Sequence, residues 1–94
     1  MLNSKQKKFL RSEAHSLKPI FQVGKDGVGE KQINNINDAL KAKELIKVKL
    51  LDTCPETVNE VALEISMGTK ADVVHIIGHT IVFYKSSEKG IYKI

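Results

Sequence analysis

The stretch Ile20-Phe21-Gln22-Val23-Gly24-Lys25-Asp26-Gly27-Val28-Gly29-Glu30-Lys31-Gln32 decides the fold. Its first four residues are short, mostly apolar and bounded by Pro19 and Gly24, which predicts a strand. Three glycines within residues 24–29 predict a bend. From Glu30 to Lys43, Ile33, Ile36 and Leu40 recur at helical spacing. Leu45 to Leu51 predicts a second strand, in which Ile46, Val48 and Leu50 alternate with Lys47 and Lys49, so one edge or face carries two lysines. A strand, a helix and a strand in that order imply a crossover and parallel pairing.

Upstream, Asn3 or Ser4 is placed to cap a first helix running to about Ser16. Phe9, Leu10, Ala14 and Leu17 fall on one broad side of it, a core face. Lys7, Lys8, Arg11 and His15 share the opposite side, a basic face. Pro19 disfavours helical geometry at Lys18 and stops the helix there. Downstream, Asp52 to Pro55 is a turn. Val58, Val61, Ala62 and Ile65 form a third apolar stripe between Glu56 and Met67, and Gly68 is expected to end that helix. Glu56, Glu60 and Glu64 are expected to form a solvated acidic stripe on it. Asp72 to Ile77 and Thr80 to Lys85 flank Gly78-His79, the signal of a two-residue hairpin. Strand alternation puts His75 on one face with Val73 and Ile77, as a packed residue. The tail from Ser86 to Ile94 has no period and is expected to be mostly loop. The order α-β-α-β-α-β-β predicts an α/β (α+β) fold, a mixed four-stranded sheet packed with three helices. The strand order stays open.

With 94 residues, one domain spanning 1–94 is expected. A hydrophobic share of 41% and a charged share of 28% fit a folded chain rather than a disordered one. No apolar run approaches the length of a membrane span, and no apolar stretch follows the basic start MLNSKQKK as a secretory signal requires. Cys54 is the sole cysteine, so no internal disulfide forms, and a reducing cytoplasm is the expected location. The net charge is +4, and residues 1–18 account for all of it: five cations there face only Glu13, while residues 19–94 hold ten of each sign. That asymmetry points to a polyanionic partner, nucleic acid or an acidic membrane surface, or else to a solubilising end.

The glycines do not fit the nucleotide phosphate-binding patterns. A dinucleotide fingerprint fails because Gln32 stands at its third glycine position. A P-loop fails because Glu30 follows Gly29 where lysine is needed, and a carboxylate there repels a γ-phosphate. What remains is Gly24-Lys25-Asp26-Gly27, a G-x-x-G loop between a strand and a helix. Glycine lets a sugar-phosphate chain come close, the helix start offers unpaired amides, and Lys25 adds a cation. In KH-type modules such a loop clamps the backbone of about four nucleotides. Asp26 works against this attraction unless it bonds the turn backbone locally. Cys54 with His15, His75 or His79 has no catalytic signature, and the four lack zinc spacing. No catalysis, metal, cofactor or small-molecule substrate is expected.

The runs Ala14-His15-Ser16-Leu17-Lys18-Pro19, Ala39-Leu40, Glu44-Leu45-Ile46-Lys47-Val48-Lys49 and Ile77-Gly78-His79-Thr80-Ile81-Val82-Phe83-Tyr84-Lys85, taken with the glycine loop, resemble the CRM domain. This is the chloroplast RNA splicing and ribosome maturation domain, in its bacterial single-domain, YhbY-type form. The resemblance covers about residues 4–86 and leaves 87–94 as a tail. It implies a fold similar to the C-terminal domain of translation initiation factor 3. It implies RNA binding through Gly24, Lys25, Asp26 and Gly27 and through an adjoining basic surface, carried here by Lys7, Lys8, Arg11, His15 and Lys18. It also implies association with ribosomal RNA in precursors of the large subunit. Gly29 departs from the family, where a capping threonine is usual, and Lys43 replaces a histidine. A monomeric RNA-binding assembly factor is the expectation. The alternative is a non-catalytic adaptor whose basic helix docks an acidic protein and whose tail, Gly90 to Ile94, adds a strand to a neighbour.

Overall fold

The computed structural model describes residues 2–92 and 94. The elements are α1 (Ser4–Ala14), β1 (Phe21–Val23), α2 (Glu30–Lys43), β2 (Leu45–Leu50), α3 (Val58–Thr69), β3 (Asp72–Ile77) and β4 (Thr80–Tyr84). One four-stranded sheet has the order β1-β2-β4-β3. The β1–β2 pair is parallel, as the α2 crossover requires, and the other two pairs are antiparallel.

Alternation along the strands sorts the side chains into two cores. Val23, Ile46, Val48, Leu50, Ile81 and Phe83 face Ile36 and Leu40 of α2 and Val61, Ala62 and Ile65 of α3. Leu45, Val74, Val82 and Tyr84 face Leu10 and Ala14 of α1. The molecule therefore has three layers, with α1 alone on one side of the sheet and α2 and α3 on the other. Asn3 and Gln6 form a reciprocal capping box that starts α1. Its attachment is narrow: burying Leu10 contributes about 1.5–3 kcal/mol. A bond from Lys47 Nζ to the Leu17 carbonyl, 2.9 Å, ties its exit to β2.

Several expectations change. Phe9 is 43% exposed, because Leu10 and Ala14 aim α1 at the sheet and leave Phe9 on a flank. The helix ends at Ala14 rather than Ser16. Gly68 lies inside α3, which stops instead at Lys70 in the left-handed region, φ 62°. A Cβ on Gly68 would stand 2.8 Å from Ile33 Cγ2, so that glycine serves the close approach of α2 and α3. Glu56 precedes α3. Glu60 closes a second capping box with Thr57, whose bonds hold its carboxyl below the ordinary range. A β-bulge between Val73 and His75 shifts the alternation. Val73 keeps to the α3 side, whereas His75 pairs with Val82 and, like Ile77, lies on the α1 side.

Over the part described, the tail is held to the body at Ser87 and Tyr92; Lys93 lies outside the described residues. Glu44 explains why. This residue is fully buried at the α2–β2 junction, with φ 66°, ψ −41°, a backbone state that costs a side-chain-bearing residue on the order of 1–3 kcal/mol. Its carboxylate accepts bonds from Ser87 Oγ (2.6 Å), Ser87 N (2.8 Å) and Tyr92 N (3.0 Å). Tyr92 then sets its ring edge-on to Tyr84, with centroids 6.4 Å apart. The Ser87 hydroxyl, above all, holds the Glu44 carboxyl below its ordinary pKa of 4.5; burial opposes this, and the Tyr92 and Ser87 amides reinforce it. Because the folded value is the lower one, the stabilisation is full above the ordinary carboxylate pKa and disappears as pH falls through the lowered value. Glu44→Ala is expected to lower Tm by about 5–10 °C at neutral pH. It is also expected to expose the amides of Ser87 and Tyr92 to hydrogen exchange. Unchanged protection of both amides would show that the tail is held by something else.

Candidate nucleic-acid interface

The glycine bend stands at the end of the sheet where β1 and β2 finish. The amide of Gly27 donates to the Gly24 carbonyl at 3.0 Å and closes a four-residue turn with Lys25 and Asp26 exposed at its corners. Gly27 has φ +66°, which a glycine adopts without steric penalty. Gly24 is different. Its φ is not positive, and an added Cβ would meet only ordinary contacts with Leu51 and Thr53 at 3.5 and 3.6 Å. Nothing inside the chain requires Gly24 to lack a side chain. Gly29 is the N-cap of α2 and supplies no side-chain cap, so an amide of the first turn keeps no such partner.

The charge around this bend is not positive. The Asp26 side chain makes no hydrogen bond among the described residues, so it does not brace the turn. The Glu56 carboxylate sits against the bend, its Oε1 only 2.8 Å from where a Cβ on Gly27 would stand. Glu30 occupies the first turn of α2. Lys25 and Lys31 thus face Asp26, Glu30 and Glu56.

The cations lie on α1, and the helix presents its flanks unequally. Leu2 and Tyr92 both pack against the Leu10–Tyr84 cluster and line one depression. Burial raises the Tyr92 phenol pKa, and the nearby Glu13 carboxylate raises it further. The flank bearing Leu2, Phe9 and Glu13 therefore faces the tail. At 100° per residue, Lys7, Arg11 and His15 fall on the other flank, with Lys8 on the crest, and all four are exposed. Lys18 is exposed in the link to β1.

Between that flank and the bend lies a strip of sheet that α1 leaves uncovered. On the α1 side, Leu45 and Tyr84 form one row with Asp72, and Lys47, Val82 and His75 form the next. The helix covers these. The third row runs across all four strands: Gln22 pairs with Lys49, Lys49 with Thr80, and Thr80 with Ile77. Gln22 and Lys49 are exposed and Ile77 is 53% exposed. Sequence alone showed two lysines on one face of β2 but not that α1 shares that face, which needs the strand order. It missed Glu56 because spacing alone placed that residue on α3.

The structure thus gathers Gly24, Lys25, Asp26 and Gly27 into one turn and Lys7, Arg11 and His15 onto one flank, with the uncovered row separating the two groups. Two surface depressions lie away from it: one among Leu40, Lys41 and Lys85 to Lys89, another among Leu2, Gln6, Asp72, Tyr84 and Tyr92. Among the described residues no His, Cys, Asp or Glu group is arranged to hold a metal ion, and no helix is long and apolar enough to cross a membrane. Cys54 is half-buried against the α2–α3 core.

These features define a class of small α+β domain, a mixed sheet between one helix and two, with a glycine bend feeding the second helix. The chain belongs to the CRM family: the CRS1 / YhbY (CRM) domain matches residues 2–85. It is 53% identical over 90 residues to the Bacillus subtilis protein named "Probable RNA-binding protein YqeI", covering 96% of this chain and 94% of that one. It is 41% identical over 89 residues to a Haemophilus influenzae protein named "RNA-binding protein", covering 95% and 90% of the two chains. The solution structure of the hypothetical protein SAV1595 from Staphylococcus aureus has the same fold, with a TM-score of 0.79 at 44% identity over 94% of this chain and 92% of that chain.

If the bend receives an anion, Glu56 opposes it. Glu56→Gln is expected to tighten RNA binding about two- to threefold at low salt and to lose that advantage as salt rises. Weaker binding by a variant of unchanged Tm would show that the carboxylate organises the bend instead.

Proposed function

We propose that this protein is a non-catalytic RNA-binding protein whose contacts run from the glycine bend to the cationic flank of α1. One observation carries the reading: Glu13 lies by Tyr92, which by helical spacing leaves Lys7, Arg11 and His15 on the flank of α1 away from the tail. Two others support it. Gly24 is bare without an internal reason, and relatives matching nearly the full chain are named as RNA-binding proteins. The finer assignment, to ribosomal RNA in precursors of the large subunit, rests on the family resemblance; the cytoplasmic location rests on the single cysteine, and a monomer is part of the same proposal.

The mechanism divides into attraction and fit. Lys7, Lys8, Arg11 and Lys18 supply long-range attraction to phosphates, and His15 adds a hydrogen-bonding ring beside them. The bend supplies close approach of main chain to a sugar-phosphate strand, with Lys25 at its corner. Recognition is of backbone and shape. Phe83 and Tyr84 are buried, Phe21 packs half-buried against the α2–α3 core, Tyr92 is packed on Tyr84, and Phe9 lies on the tail-facing flank of α1. No aromatic of the chain is left to stack bases beside the bend.

If about five cations engage phosphates, log K against log salt should fall with a slope of roughly −3.5 on single-stranded RNA. A slope near zero would remove RNA as the ligand. Ribonuclease removal of 260 nm absorbance from the purified protein separates RNA from an acidic protein partner. Lys8→Glu with Arg11→Glu is expected to weaken binding and flatten that slope; an unchanged slope would make this face a solubility device. Gly24→Asp is expected to reduce RNA affinity about tenfold with Tm nearly unchanged, since the position has room and ordinary backbone geometry. Equal binding by that folded variant would take the bend out of the interface.

A further inference from the structure

We propose that the uncovered row Gln22–Lys49–Thr80–Ile77 is the floor of the RNA site, with Lys49 taking a phosphate and Gln22 and Thr80 reading ribose hydroxyls. The inference rests on the RNA-binding reading and extends it to a part of the surface that the bend and α1 do not include. The register places the four residues side by side across the full width of the sheet, about 14 Å at 4.8 Å per strand. The row is about 7 Å, two residues, beyond the one that α1 covers. One of its ends is Gln22, the residue before Val23 and the bend.

Its chemistry suits a sugar-phosphate strand and little else. Lys47 and Lys49 point to the same face, but Lys47 is spent on the Leu17 carbonyl, whereas Lys49 is exposed and makes no hydrogen bond among the described residues. The Gln22 main-chain carbonyl accepts a bond from Gln32 Nε2 at 2.8 Å, which fixes the strand and leaves the Gln22 carboxamide exposed. A carboxamide and a hydroxyl each donate and accept, as the 2′-hydroxyl of ribose does. Ile77, 53% exposed, offers an apolar contact to a sugar ring. The row also holds no acid, unlike the bend, where Asp26, Glu30 and Glu56 gather. A phosphate passing from the bend toward Lys7 and Arg11 crosses Lys49.

The test uses the full chain with a mixed-sequence single-stranded RNA and the DNA of the same sequence. Lys49→Glu is compared with Lys41→Glu, an equal charge change on the exposed face of α2. Lys49→Glu should weaken RNA binding about tenfold and reduce the salt slope by about 0.7, while Lys41→Glu stays within about twofold of wild type. Gln22→Ala with Thr80→Val should lower the preference for RNA over DNA while sparing the salt slope, because it removes no charge. Lys49→Gln, milder in the strand, provides the same readout if the glutamate variant folds poorly. Equal weakening by Lys49→Glu and Lys41→Glu overturns the floor and leaves the RNA reading standing. An RNA preference untouched by the double variant overturns the ribose contacts. Failure of wild type to bind either strand overturns the floor together with the function it rests on.

Discussion

The packing of Ile36 and Leu40 onto Val23, Val48 and Leu50 is the contact on which the rest depends. It holds α2 against the two parallel strands it connects. With β1 only three residues long, a parallel pairing has few ladder bonds of its own, and the crossover helix secures it. Once α2 is seated, the chain between Val23 and Glu30 must turn at the end of the sheet, and the glycines are where that turn occurs. The bend is therefore a product of core burial, and its position is as firm as the core. Gln32 adds a local strut by bonding the Gln22 carbonyl, so the first turn of α2 and the last residues of β1 move together.

That rigidity separates shape from charge. Close approach of backbone to a ligand needs small residues and a fixed turn, which the bend has. Attraction needs cations, which the bend lacks, since Lys25 and Lys31 are outnumbered by Asp26, Glu30 and Glu56. The cations are carried by the layer on the other side of the sheet. Electrostatic attraction reaches over about 8–10 Å at ordinary ionic strength, so charges a layer away still act on the same strand. Placing acids at the bend and cations on α1 favours a polyanion long enough to touch both and disfavours a small phosphate. This agrees with the failure of the nucleotide motifs in the sequence.

Much of this was legible before the structure. The periodicities of residues 20–51 gave the crossover, Gly78-His79 gave the hairpin, and Asn3 gave the start of α1. What stayed hidden has physical causes. Gly68 looked like a helix stop because propensity carries no information about Ile33, which sits in contact only after α2 and α3 pack. His75 was assigned a face by simple alternation, and one extra residue at the bulge shifts every later side chain on β3. Glu44 carries no local signal of its role, because its three bonds come from residues more than forty positions away. The row from Gln22 to Ile77 could not be assembled from the sequence at all, since it requires β4 to lie between β2 and β3. Local order was readable, while adjacency across the sheet was not.

The buried carboxylate has a bearing on the interface although it lies at the opposite end of the sheet. Without it, the segment from Ser87 onward would be a tethered chain bearing Lys89, next to a helix whose cationic flank is only half a turn from its tail-facing one. Glu44 fixes Ser87 and Tyr92, Tyr92 packs on Tyr84, and the tail is thereby committed to the flank with Glu13. The opposite flank is left open along its length. An ion buried to bind main-chain amides is weak evidence for stability by itself. Its effect here is positional: it holds the chain's last segment on one side of α1 and so decides which side can meet a ligand.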